Sequence, residues 1–132
     1  MIERSTLKSV AERALDLLAE EHPLGHQASK ARRYVLRTRS GTMELMIEKN
    51  PEAPTNIWML QDRAAGLIEK SLTPSFSPAG KLYKVHGSDG KMNYGRHSAL
   101  EKMPELGGGD LVYFAPKDFT ELGVILDYLA GL

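Results

Sequence analysis

Two alternating runs, YVLRTR from Tyr34 and TMELMIE from Thr42, flank the dipeptide Ser40-Gly41. A period of two over this length suits a half-buried strand, and Ser-Gly suits a two-residue hairpin loop. The stretch therefore predicts a β-hairpin over 33–48. With Ser40-Gly41 as the loop, Arg39 is expected opposite Thr42, Arg37 opposite Glu44, Leu36 opposite Leu45 and Arg33 opposite Glu48. Tyr34, Leu36, Met43, Leu45 and Ile47 then share a core face, while Arg33, Arg37, Arg39, Glu44 and Glu48 share the other.

Before the hairpin the period is near 3.6. Residues 5–21 read as an amphipathic helix, with Leu7, Val10, Ala14, Leu17 and Leu18 on one face and Lys8, Glu12, Arg13, Asp16 and Glu20 on the other. Pro23 and Gly25 stop it. Beyond the turn-rich NPEAPTN, IWML reads as a short buried strand with Trp58 in the core. DRAAGLIEKSL reads as a helix with Ala64, Ala65, Ile68 and Leu72 on one side, weakened by about 1 kcal/mol at Gly66. TPSFSPAG reads as a loop, KLYKVHG as a strand, SDGK as a turn leading to a return strand near Met92 to Tyr94, and DLVYFAP as another strand. DFTELGVILDYLAG closes the chain as a helix with Phe119, Leu122, Ile125, Leu126 and Leu129 facing inward, and Asp118 with Glu121 has capping-box spacing. The expectation is one α+β domain over 1–132, an antiparallel sheet of four to six strands packed against N- and C-terminal helices.

A chain of 132 residues, 42% hydrophobic and 26% charged, is long enough to bury such a core unaided. The absence of cysteine excludes a disulfide framework, a thiolate zinc site and a cysteine nucleophile. Basic and acidic residues balance at 17 each, so no global field draws polyanions or a membrane, and any electrostatic binding must be local. The N-terminal stretch is charged throughout, and no later run approaches a membrane span, so a cytoplasmic location is expected.

The local charge is uneven. From His22 to Met43 there is no Asp or Glu, while Lys30, Arg32, Arg33, Arg37 and Arg39 fall in that window. Cross-strand glutamates account for Arg33 and Arg37; Lys30, Arg32 and Arg39 are expected to be unpaired and free to meet a phosphate backbone or an acidic protein surface. A second candidate is Arg96 with His97, just before a short helix that Ser98 and Glu101 are expected to cap, where free amides favour an anion. His97 beside Ser98 is weak evidence for a nucleophile and its base, because sequence neighbours point apart. HPLGH places His22 and His26 four apart, but Pro23 and Gly25 break the helix a metal would need. GSDGK and GGGD match no phosphate-binding motif and read as turns, with Asp89 and Asp110 bonding nearby backbone. A magnesium site from Asp89, Asp110, Glu44 and Glu48 lacks the spacing of a nuclease motif, so no metal or cofactor is expected.

The leading expectation is a small non-enzymatic macromolecule-binding protein, a regulator or inhibitor of the kind common in phages and mobile elements. Its candidate contacts to an anionic protein or nucleic acid are Lys30, Arg32, Arg37, Arg39, Arg96 and His97. The alternative is an enzyme on a phosphorylated or nucleic-acid substrate using Arg96, His97 and His86. A third is a structural subunit that pairs through a strand edge into a homodimer.

Overall fold

The chain runs α1 (Arg4–Leu18), β1 (Glu20–Glu21), β2 (Ala31–Thr38), β3 (Gly41–Glu48), β4 (Ile57–Leu60), the one-turn helix α2 (Ala65–Ile68), β5 (Ser75–Ser77), β6 (Tyr83–His86), β7 (Lys91–Tyr94), β8 (Leu111–Phe114) and α3 (Phe119–Ala130). The computed structural model describes residues 4–70, 72–81, 83–86 and 91–132. Six strands form one antiparallel sheet in the order β1-β2-β3-β4-β8-β5, and β6 pairs with β7 separately. With a helix at each end of the chain, the protein is α+β.

Alternation sorts this sheet into two faces. Tyr34, Leu36, Met43, Leu45, Ile47, Ile57, Met59, Val112 and Phe114 point to one side, where α1 contributes Leu7, Ala11 and Leu15 and α3 contributes Leu122, Ile125 and Leu129. Ala31, Met46, Trp58 and Leu111 point to the other, covered by Ala99, Leu100, Met103 and Leu106 from the turns that follow β7. Trp58 is in this second core as expected, stacked on Tyr113 with ring centroids 4.2 Å apart.

The hairpin register differs from the expected one. Thr38 pairs with Gly41, Arg37 with Thr42, Val35 with Glu44, Arg33 with Met46 and Ala31 with Glu48, so the loop is Arg39-Ser40. The five core residues keep their face, because the slip changes each partner by two and preserves parity. Apolar patterning cannot distinguish the two registers; the turn does. Gly41 has φ +117, a left-handed conformation that glycine accepts and other residues resist, and it opens β3 rather than closing the loop.

Helix α1 also departs from its apolar pattern. Val10 is 40% and Leu17 90% exposed, whereas Lys8, assigned to the outer face, is buried. The helix is turned by about a quarter rotation from the face its apolar residues suggest, at 3.6 residues per turn. Polar anchors on one flank explain it. Lys8 Nζ donates to the carbonyls of Asn50 and Ala53, and Asp16 accepts from Tyr34 Oη at 2.6 Å and from Arg32. α1 also ends before Glu20 and Glu21, which form the edge strand β1.

Smaller corrections follow from the same competition. TPSFSPAG contains β5, an edge strand paired to β8 between Pro74 and Pro78. DRAAGLIEKSL makes only a 3-10 turn at Gln61–Arg63 and one helical turn. Phe119, expected inward, is 44% exposed at the start of α3, where Asp118 accepts from Glu121 N at 2.9 Å as the capping spacing required.

Candidate functional site

The acid-free window of the sequence is not an acid-free surface. Arg32, expected to be unpaired, lies on the helix-covered side and binds Asp16 at 2.8 Å and Tyr34 Oη at 2.9 Å. These bonds outweigh the opposing effect of burial and hold the Asp16 carboxyl below its ordinary range, while burial and the bond to Asp16 push the Tyr34 phenol up. Arg37 meets not Glu44 but Glu20, at 3.2 Å, in an exposed pair of the kind that contributes little. Arg33 meets not Glu48 but three carbonyls: Gly25 at 2.7 Å, Leu24 at 3.0 Å and Ala99 at 3.3 Å. Lys30 and Arg39 alone of the set make no side-chain hydrogen bond or ion pair among the described residues. They sit beyond opposite ends of β2, about 30 Å apart at a strand rise of about 3.3 Å per residue.

Arg96 is a clamp. Its guanidinium donates to Ser77 Oγ at 2.8 Å and to the carbonyls of Ser77, Gly109 and Leu106 at 2.6, 2.7 and 3.3 Å, joining β5 to the glycine-rich turn. GGGD is a turn as expected, and Gly107 is needed there, since a Cβ would lie 2.6 Å from Met103 O and 2.7 Å from Glu101 O. Asp110 reaches further than expected and accepts from Ala79 N at 2.8 Å. His97 rather than Ser98 caps the following turn, a 3-10 turn at Ser98–Leu100: its Nδ1 accepts from Ala99 N at 3.1 Å. That bond leaves Nε2 as the ring's N–H. Burial lowers the His97 pKa, with Lys30 acting in the same direction and Glu48 against it. Neutral His97 therefore offers an N–H donor within the electrostatic reach of Lys30. Glu48 is held by Asn56 Nδ2 at 2.8 Å and Trp58 Nε1 at 2.9 Å. His86 falls in β6 with its side chain outside the described part, and Asp89 lies outside the described residues.

The sequence reading missed the buried centre of this face. Glu44 and His22, 6% and 5% exposed, meet at 2.6 Å through Glu44 Oε2 and His22 Nε2. Leu24 N donates to His22 Nδ1 at 3.0 Å, so the proton shared with Glu44 sits on Nε2. Glu44 Oε1 accepts from Glu105 N at 2.8 Å and Leu106 N at 2.9 Å. A carboxylate pointing from the sheet thus fastens the covering turns. The signal available was Glu44 alone, a charged residue inside TMELMIE, which alternation assigns to solvent.

Between the 22–30 loop and the 97–105 turns runs a groove. Two cavities of about 400 Å³ each share Leu24 and Lys102 as walls. One lies over His22 and Glu44; the other is lined by Gln27, Arg33, Ser98 and Glu101. Gln27 Oε1 is buried with no hydrogen-bond partner among the described residues. Among those residues no three His, Asp or Glu are grouped to hold a metal, and no helix is long and apolar enough to cross a membrane. No family model, no curated protein and no solved structure matches the chain.

Proposed function

We propose that the protein is a small non-enzymatic binding protein, a regulator or inhibitor, whose groove on the loop-covered face takes an extended acidic segment of a protein partner. The observation that carries this reading is the distribution of free cations. Arg32, Arg33 and Arg96 are spent on internal bonds, while Lys30, whose charge acts on His97, is left without a side-chain bond among the described residues. A nucleic acid calls for several cations in register with its phosphates, and Lys30 and Arg39 lie too far apart to act as one such track.

The test is selection from a displayed random-peptide library against the full chain, repeated with Lys30→Glu, alongside duplex and single-stranded oligonucleotides at about 50 mM salt. Enrichment of peptides carrying Asp or Glu, lost in Lys30→Glu, supports the reading. Salt-steep oligonucleotide binding in place of peptide binding overturns it in favour of a nucleic-acid partner.

A further inference from the structure

We infer that the cavity over the His22–Glu44 pair is a site for a primary alkylammonium, the side chain of a lysine in the segment that lies in the groove. The inference rests on the groove reading for its biological occupant, and its chemistry stands on the cavity. Glu44 is an ionisable group more than nine-tenths buried, and it lines a cavity of about 400 Å³ instead of being sealed in the core. Its carboxylate has about four acceptor positions. Glu105 N and Leu106 N fill those of Oε1, and His22 Nε2–H takes one on Oε2. One position on Oε2 remains.

Two of the three donors are backbone amides, and the Leu24 amide at His22 Nδ1 leaves the proton shared with Glu44 on Nε2. No Lys or Arg among the described residues pairs with the carboxylate, and an added cation favours a buried acid held mainly by backbone amides. Pro23, Leu24, Val35 and Pro104 form the walls, an apolar sleeve suited to the methylenes of a lysine with its ammonium at the floor. A single open acceptor suits a compact ammonium better than the two-pronged guanidinium of arginine. At the mouth Glu105 adds attraction and the exposed Lys102 opposes it.

The experiment is a two-dimensional amide NMR titration of the full chain with Nα-acetyl-lysine methylamide, against Nα-acetyl-norleucine methylamide, which keeps the chain and lacks the charge. Saturable shifts at the amides of Leu24, Glu105 and Leu106 are expected with the lysine probe and not with norleucine, in the millimolar range typical of a single side chain, about 1–20 mM. Lys102→Ala is expected to tighten binding about two- to five-fold by removing the competing cation. Glu44→Gln can loosen the turns it fastens, so Val35→Lys serves as the second variant: its own ammonium occupies the cavity and abolishes the shifts. No shift up to about 50 mM, equal shifts with norleucine, or full binding to Val35→Lys overturns the site. If library peptides bind while the probe does not, the cavity assignment alone fails; if the probe binds while no peptide does, the groove reading alone fails.

Discussion

The two faces of the sheet are covered in different ways. On the helix side, α1, α2 and α3 lay apolar residues on a continuous apolar surface, and Leu7, Leu15, Leu67, Leu122, Ile125 and Leu129 are all buried there. On the other side a run of turns from His97 to Gly109 covers a smaller core around Met46 and Trp58, tied down by Arg33, Arg96, Glu44 and Tyr94 Oη bonding to its backbone. Regular helices satisfy their own amides, so the first cover is held by apolar area, and the polar anchors of α1 set its rotation. Irregular backbone cannot, and the second cover needs side chains that supply the missing partners. Such a cover leaves polar atoms and clefts between its anchors, which is why the groove lies here.

The largest effect should come from the helix side. Leu45→Ala, fully buried between sheet and helices, is expected to lower the free energy of unfolding by about 3 kcal/mol, read from urea denaturation with one midpoint for every probe. Arg96→Ala is expected to cost less globally, about 2 kcal/mol, while speeding proteolysis within 97–109 well beyond what the change in global stability predicts. Equal acceleration of cleavage throughout the chain would erase the distinction between the faces. Leu17→Ser should change stability by less than about 0.5 kcal/mol despite replacing a leucine the sequence assigns to the core, because the residue is 90% exposed. A loss above about 2 kcal/mol would place α1 back in the orientation its apolar residues suggest.

How far the sequence was legible follows this division. The face assignments of Tyr34, Leu36, Met43, Leu45 and Ile47 were readable because burial writes a period-two pattern. The register was not, since Arg39-Ser40 and Ser40-Gly41 loops give the same pattern and differ only in where Gly41 takes its left-handed turn. The rotation of α1 was hidden because Lys8 and Asp16 act through partners distant in sequence, Asn50, Ala53 and Tyr34. At the candidate site, Lys30 and His97 stand out in the sequence for their charge, and in the structure the charge of Lys30 acts on His97. Arg96 was named too, yet its four acceptors come from segments no local pattern connects to it. Sequence alone sets His22 and Glu44 apart, the one between helix breakers and the other on the outer face of a strand. Their pairing depends on the fold bringing residues 22 apart in sequence together.

A smaller, pH-dependent effect sharpens the comparison. Burial lowers the pKa of His97 on the loop side; burial and Arg32 lower that of His26, whose ring meets Tyr34. With both folded values depressed, the unfolded chain takes up protons first as pH falls below the ordinary histidine value of about 6.5. Their contribution to stability is thus present above that pH and lost below it. Thermal midpoints should fall between pH 7.5 and 5, and His97→Gln should make the fall shallower. An unchanged slope in that variant would remove His97 from the pH response.

The most direct test of the polar fastening is amide hydrogen exchange in Glu44→Gln. Glutamine keeps the shape and removes the charge that holds the Glu105 and Leu106 amides. Exchange is expected to rise at Glu105, Leu106 and the rest of 97–109, with amides of α1, α3 and the β3–β4 pair keeping their wild-type protection. A uniform rise across both faces, or no rise at Glu105 and Leu106, would contradict a cover held in place by that carboxylate.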